Sequence, residues 1–169
     1  MKKILLLLCV TCTINILSAQ DKETNTTTTT TYFFIRHAEK ANDGSKNPHL
    51  TDKGKERAAH WANILKGYKI DAVYSTDYFR TKETAEPTAK ANKLETTLYD
   101  PRAFDLQKFV NDTKGKNVLV VGHSNTTPMY VNTFIGKNKY GQIQENDYGN
   151  LYIITIKDNV VNDLQLCNL

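Results

Sequence analysis

Apolar positions along this chain fall into short continuous runs separated by longer stretches in which they return at helical spacing. Tyr32-Phe33-Phe34-Ile35 is such a run, aromatic and branched enough to read as a buried strand, and it stops abruptly at Arg36-His37. Ala41 to Pro48 is a polar loop with Gly44, Asn47 and Pro48. Thr51 is placed to cap a helix whose apolar face is Ala58, Trp61, Ala62 and Leu65, with Gly67 as its stop. Asp71 to Ser75 is a second strand. Thr76 or Asp77 should cap the next helix, which carries Arg80 in its first turns and runs to about Asn92; Pro87 inside it should kink or split it. Leu94 to Tyr99 reads as a third strand, and Ala103, Leu106, Phe109 and Val110 mark a helix ended by Lys114-Gly115.

Val118-Leu119-Val120-Val121 is apolar on both faces, as a central parallel strand should be, and it runs into Gly122-His123-Ser124-Asn125. Pro128 suits the first turn of a helix continuing through Val131, Phe134 and Ile135 to Gly136. Leu151 to Ile156, a Lys157-Asp158-Asn159 turn and a returning strand with Leu164 and Leu166 complete the pattern. Strands alternating with helices, then a terminal hairpin, predict an α/β fold: a three-layer sandwich around a mostly parallel sheet with an antiparallel C-terminal edge strand.

The first residues read differently. Lys2-Lys3, the apolar run from Ile4 to Leu17 and the small pair Ser18-Ala19 have the form of an export signal, so residues 1–19 are expected to be a signal peptide cleaved after Ala19. Thr11, Thr13 and Asn15 make the run too polar for stable membrane insertion. The location implied is periplasmic or secreted, with a lipid-modified Cys9 or Cys12 as the less favoured alternative. Residues 20–31 contain an unbroken Thr run with no apolar face and are expected to be a solvated Thr-rich linker, leaving 32–169 as one domain. With the signal gone only Cys167 remains, so no internal disulfide can form and stability must come from packing. The 169 residues, 40% hydrophobic and 24% charged, suit one soluble domain. The formal charge of +4 falls to +2 without Lys2 and Lys3, and the scattered lysines exclude a nucleic-acid footprint. A monomer is expected.

Three chemically capable residues stand at or just beyond strand ends: His37, Arg80 and His123, with Arg36 beside the first. The carboxyl ends of parallel strands are where open α/β sheets bind ligands. If these strands are neighbours, two imidazoles and two guanidiniums converge without a metal-binding carboxylate cluster. That set suits a phosphoryl group: guanidiniums grip its oxygens and an imidazole attacks. Plainer roles are expected elsewhere. His49, His60 and Arg57 read as surface residues, and Glu83 as an intrahelical partner of Arg80. Lys40 and Asn42 could reach substrate or be solvated, and Asn125 could cap a helix or line the site.

The Arg36-His37-Ala38-Glu39 run resembles the Arg-His-Gly signature of the histidine phosphatase superfamily, also called phosphoglycerate-mutase-like, with Ala in place of Gly. Leu50 to Ala58, Tyr74 to Ala85 and Val120 to Ser124 resemble, in order, the segments bearing that family's first helix, second phosphate arginine and second histidine. The resemblance implies that His37 becomes phosphohistidine while Arg36, Arg80 and His123 hold the nonbridging oxygens. It implies no cofactor and no metal. Ala38 could narrow the pocket. The family's larger members place a proton donor after the third strand, where Asp100 stands, with Asp105 as runner-up; such an acid needs a pKa raised by burial.

No long insertion appears, so an open, lid-less site and phosphomonoester hydrolysis are expected, on a phosphorylated small molecule or a phosphoprotein. The alternatives are mutase-type phosphoryl transfer, an idle phosphate- or phosphopeptide-binding module, and a metal site using His37 and His123.

Overall fold

The computed structural model describes residues 28–169; the expected signal segment with Cys9 and Cys12, and most of the expected linker, lie outside the described residues. The elements are β1 (Thr29–Arg36), α1 (Asp52–Leu65), β2 (Ala72–Ser75), α2 (Phe79–Ala91), β3 (Thr96–Leu98), α3 (Leu106–Asp112), β4 (Asn117–Gly122), α4 (Thr126–Ile135), β5 (Leu151–Lys157) and β6 (Val160–Leu166). They build one six-stranded sheet in the order β3-β2-β4-β1-β5-β6. The first four of these are mutually parallel, and β5 and β6 form an antiparallel flank, so the expected antiparallel edge is two strands wide.

The period-2 alternation of β1 divides the core. Tyr32 and Phe34 pack with Phe109 of α3 and Tyr130, Val131 and Phe134 of α4. Phe33 and Ile35 face the opposite layer, with Trp61 and Leu65 of α1 and Ala85 and Ala89 of α2. Both faces of β1 and β4 are therefore covered, as continuous apolar runs require. Among the described residues no helix is long and apolar enough to cross a membrane.

Four local expectations are corrected. Strand β1 begins at Thr29, within the Thr run: Thr29 to Thr31 pair with Lys157 to Thr155 of β5, and the buried Thr30 hydroxyl accepts from the Gly115 N–H at 2.8 Å. Branched residues of high strand propensity pair here although they have no large apolar side chains. Helix α2 is continuous through Pro87 and is neither split nor ended there. It is not capped by Thr76 or Asp77; Tyr78 holds the N-cap position without a side-chain bond, because Thr76 is buried and bonded elsewhere. Helix α1 ends at a right-handed Lys66 rather than on Gly67.

The start of α1 matters for the site. Thr51 caps it as expected, its hydroxyl accepting from Gly54 N–H at 3.0 Å and donating to the Glu39 carbonyl at 3.2 Å. Gly54 lies so close to the segment after His37 that a Cβ there would stand 2.2 Å from the Glu39 oxygen. Replacing glycine by alanine inside a helix normally stabilises by up to about 1 kcal/mol. Here the sign should reverse: Gly54→Ala is expected to destabilise by about 1–3 kcal/mol in urea unfolding through overpacking. Gly67→Ala, with open space around it, is the control and should stay within about 0.5 kcal/mol.

Candidate active site

Strands β1 and β4 are in register to their last residues, Arg36 opposite Gly122, and the His37 N–H donates to the Gly122 carbonyl at 2.9 Å. The two strand ends therefore deliver His37 and His123 side by side, with ring centroids 5.6 Å apart. Strand β2, on the other side of β4, leads into Thr76 and α2, whose second residue is Arg80. Arg36, His37, Arg80 and His123 line one cavity of about 1050 Å³. The convergence expected from three separate strand ends is present.

Each of the four is positioned by specific partners. The His37 imidazole is buried, and its Nδ1 lies 2.8 Å from the Ala38 carbonyl. A carbonyl only accepts, so the proton is on Nδ1 and the Nε2 lone pair is left for the cavity. For His123 the assignment is opposite. Arg80 Nη2 can only donate, at 3.5 Å, so His123 Nδ1 accepts and Nε2–H donates to Thr76 Oγ1 at 2.9 Å. Thr76 passes its own proton to Thr81 Oγ1 at 3.0 Å, and Thr81 donates on to the Thr76 carbonyl at 2.9 Å.

Arg36 is 2% exposed, and its Nη1 is shared among the carbonyls of Gln144, Glu145 and Asp147 at 2.7, 3.0 and 2.9 Å. Its guanidinium lies over Tyr148 at 4.3 Å, as that of Arg80 lies over Tyr78 at 4.4 Å. The Nε–H groups of both arginines are buried and have no acceptor among the described residues. A buried donor without an acceptor costs free energy, so these two Nε–H groups are unfavourable as they stand.

Burial, opposed by the Ala38 bond and reinforced by Arg36, Arg80 and His123, takes His37 from the usual 6.5 down to about 3. Burial, then Arg80 and Arg36, takes His123 to about 4. Both imidazoles are neutral near neutral pH, the form a nitrogen nucleophile needs.

Lys40, Asp100 and Asn125 also line the cavity. Asn125 stands at the N-cap position of α4 but makes no side-chain cap bond. Asn42, which could reach substrate or be solvated, is exposed in the loop and is not among the lining residues, in keeping with the solvated alternative. The condition set for Asp100 as a proton donor is not met. Its carboxylate is exposed and held by Arg102 at 2.9 and 3.0 Å, which lowers its pKa rather than raising it. Asp105 caps α3, accepting from Lys108 N–H at 3.0 Å. Ala38 is fully buried against Leu50 and Ala58, so its methyl does not narrow the pocket.

Two ion pairs differ from expectation. Glu83 serves the exposed His49 and the Leu50 N–H (2.8 Å) instead of Arg80. Arg57 grips Glu39 with contacts of 2.9–3.0 Å and reaches the Leu169 carbonyl at 3.0 Å. Burial pushes the Glu39 carboxyl up, and the Arg57 fork overrides it, so the group ends below its usual value. This pair anchors the segment directly after His37. Sequence reasoning also missed Thr84, whose hydroxyl accepts from Ala38 N–H (2.9 Å) and donates to the Arg80 carbonyl (2.6 Å), tying the segment after His37 to the helix that carries Arg80. The coil 137–150 between α4 and β5, whose Gln144, Glu145 and Asp147 carbonyls hold Arg36, carried no periodic signal. No three His, Cys, Asp or Glu side chains cluster as a metal site among the described residues.

The model of the histidine phosphatase superfamily (branch 1) matches residues 32–102, a stretch that ends before His123. No curated protein matches the chain by sequence. Among solved structures, the protein histidine phosphatase SixA complexed with tungstate aligns at 20% identity and TM-score 0.64, covering 81% of this chain and 96% of its own. A phosphoglycerate mutase from Bacillus anthracis aligns at 16% identity and TM-score 0.63, covering 83% and 93%. A phosphoserine phosphatase from Entamoeba histolytica aligns at 13% and 0.61, covering 79% and 94%. The fold is that of the histidine phosphatases, and the stretch matched by the family model carries Arg36, His37 and Arg80.

The depressed imidazoles carry a stability consequence. Below 6.5 the unfolded chain binds protons at His37 and His123 that the folded chain refuses, so stability is full above about 6.5 and is lost towards about 4. The melting temperature is expected to fall over that window, and His123→Asn should flatten the fall; an unchanged profile in that variant would refute the assignment.

Proposed function

We propose that this chain is a phosphomonoester hydrolase working through a phosphohistidine on His37. The observation that carries this is the pairing of a locked Nε2 lone pair with two arginines that line the same cavity. In the proposed first step, His37 Nε2 attacks phosphorus as the bond to the leaving group breaks, while Arg36 and Arg80 stabilise the equatorial oxygens. His123 contributes through Nδ1. A phosphoryl dianion beside it favours the imidazolium, which then donates to an oxygen instead of accepting from Arg80. Water then attacks the phosphohistidine, releasing phosphate and returning His37 neutral.

Asp100, which stands where a proton donor was expected, has its pKa lowered by Arg102, which favours substrates whose leaving group departs without a proton. Aryl phosphates and phosphorylated imidazoles are of that kind. The likeness to a protein histidine phosphatase agrees with a phosphoprotein substrate, and the likeness to a mutase keeps phosphoryl transfer as the second reading. The Lys2-Lys3 and apolar leader supports an exported site of action.

Turnover of p-nitrophenyl phosphate by the full chain tests the proposal. Activity should survive strong chelators, because the guanidiniums take the part that divalent ions play elsewhere. Arg80→Lys should lose on the order of ten- to a thousandfold in kcat/KM, since an ammonium cannot supply the planar fork. Activity lost to chelator and restored by a divalent ion, or an undiminished Arg80→Lys variant, would contradict it.

A further inference from the structure

Beyond Arg36 and Arg80, the other cations lining the cavity are Lys40 and Arg102, and both already face carboxylates of the same lining. Glu145 spans two of the four cations, with one oxygen 3.3 Å from Arg36 Nη2 and the other 3.6 Å from Lys40 Nζ. Asp100 holds Arg102 at 2.9 Å. The third lining carboxylate, Asp77, is paired at 2.6 Å with Lys82, outside the lining. Four cations against three carboxylates leave the empty cavity slightly positive, and a phosphoryl dianion turns it negative. With Arg80, which no lining carboxylate pairs, taken up by the phosphoryl group, a second anionic group on the substrate would meet Glu145 or Asp100. The same rim carries Tyr78, Leu98 and Met129, which are 39, 50 and 46% exposed despite their apolar surface.

We infer that this site selects phosphorylated groups whose leaving part is uncharged and apolar, and that Glu145 is the specificity-determining residue that turns away a second negative charge. The inference rests on the phosphate-site reading above and names its substrate class. Glu145 suits the role because its backbone is fixed independently of its carboxylate: its carbonyl accepts from Arg36 Nη1 at 3.0 Å, a contact that glutamine would keep. The Glu145 side chain is 73% exposed, so screening limits the discrimination to about three- to tenfold. Tyr78, Leu98 and Met129 supply the favourable half by covering a flat or aliphatic leaving group.

The test compares two non-hydrolysable ligands that differ by one charge, 3-carbamoylphenylphosphonate and 3-carboxyphenylphosphonate. Titration calorimetry on the full chain, at a pH where both phosphonates are dianions, gives their affinities. The carbamoyl ligand is expected to bind about three- to tenfold tighter, and Glu145→Gln should bring the ratio within about twofold of unity. Equal affinities in the parent chain, a ratio unchanged in Glu145→Gln, or no binding of either ligand would overturn the inference. Turnover of 3-carbamoylphenyl phosphate separates the two claims. If the phosphonate ranking holds and the phosphate is not turned over, the selectivity stands and the hydrolase reading falls.

Discussion

The parallel pairing of β1 with β4 is the constraint on which the site depends. It aligns Arg36 with Gly122 and lets the His37 N–H donate to the Gly122 carbonyl, so both histidines leave the sheet at one level. Pairing by one residue more or less would turn every side chain of β1 to the opposite face, exchanging the Tyr32/Phe34 layer with the Phe33/Ile35 layer. The register is therefore held by the whole apolar core, and the placement of the imidazoles follows from it. At Gly122 itself an added Cβ would stand 2.9 Å from Thr127 Oγ1, so the strand end has no room for a side chain.

Around this pairing, orientation comes from backbone carbonyls and threonine hydroxyls more than from charged partners. The Ala38 carbonyl sets the His37 tautomer, Thr76 sets that of His123, and Thr84 joins Ala38 to the Arg80 turn. Neutral donors and acceptors orient an imidazole without adding charge, which leaves burial and the two guanidiniums to depress both pKa values. The Arg57–Glu39 pair and the close approach of Gly54 hold the segment after His37 from the α1 side. From the other side, three carbonyls of the coil 137–150 hold Arg36.

Much of this was legible in the sequence because it is periodic or local. The unbroken apolar runs Tyr32 to Ile35 and Val118 to Val121 announced central strands, and the cationic and imidazole residues at their ends announced a site. Thr51 announced its helix. What was not legible depends on contacts distant in the chain. Arg57 reads as a surface arginine until the fold brings Glu39 and Leu169 to it. Asp100 is the local exception: it stands at a plausible place for an acid, and the Arg102 that keeps it ionised is only two residues on and was passed over. The Thr run looked solvated because it lacks large apolar side chains, yet β5 offered free backbone partners to Thr29 to Thr31. The coil from 137 to 150 has no repeat at all, and its role is written in main-chain oxygens, which no side-chain pattern encodes.

The central claim is that His37 Nε2 is the nucleophile, and covalent trapping tests it most directly. The full chain would be mixed with a radiolabelled aryl phosphate and quenched rapidly in alkali, which preserves an N–P bond that acid would break. The account predicts one labelled histidine, residue 37, with the label lost on acidification and absent from a His37→Asn variant. Label on Ser124, or full turnover with no labelled intermediate at any quench time, would contradict it.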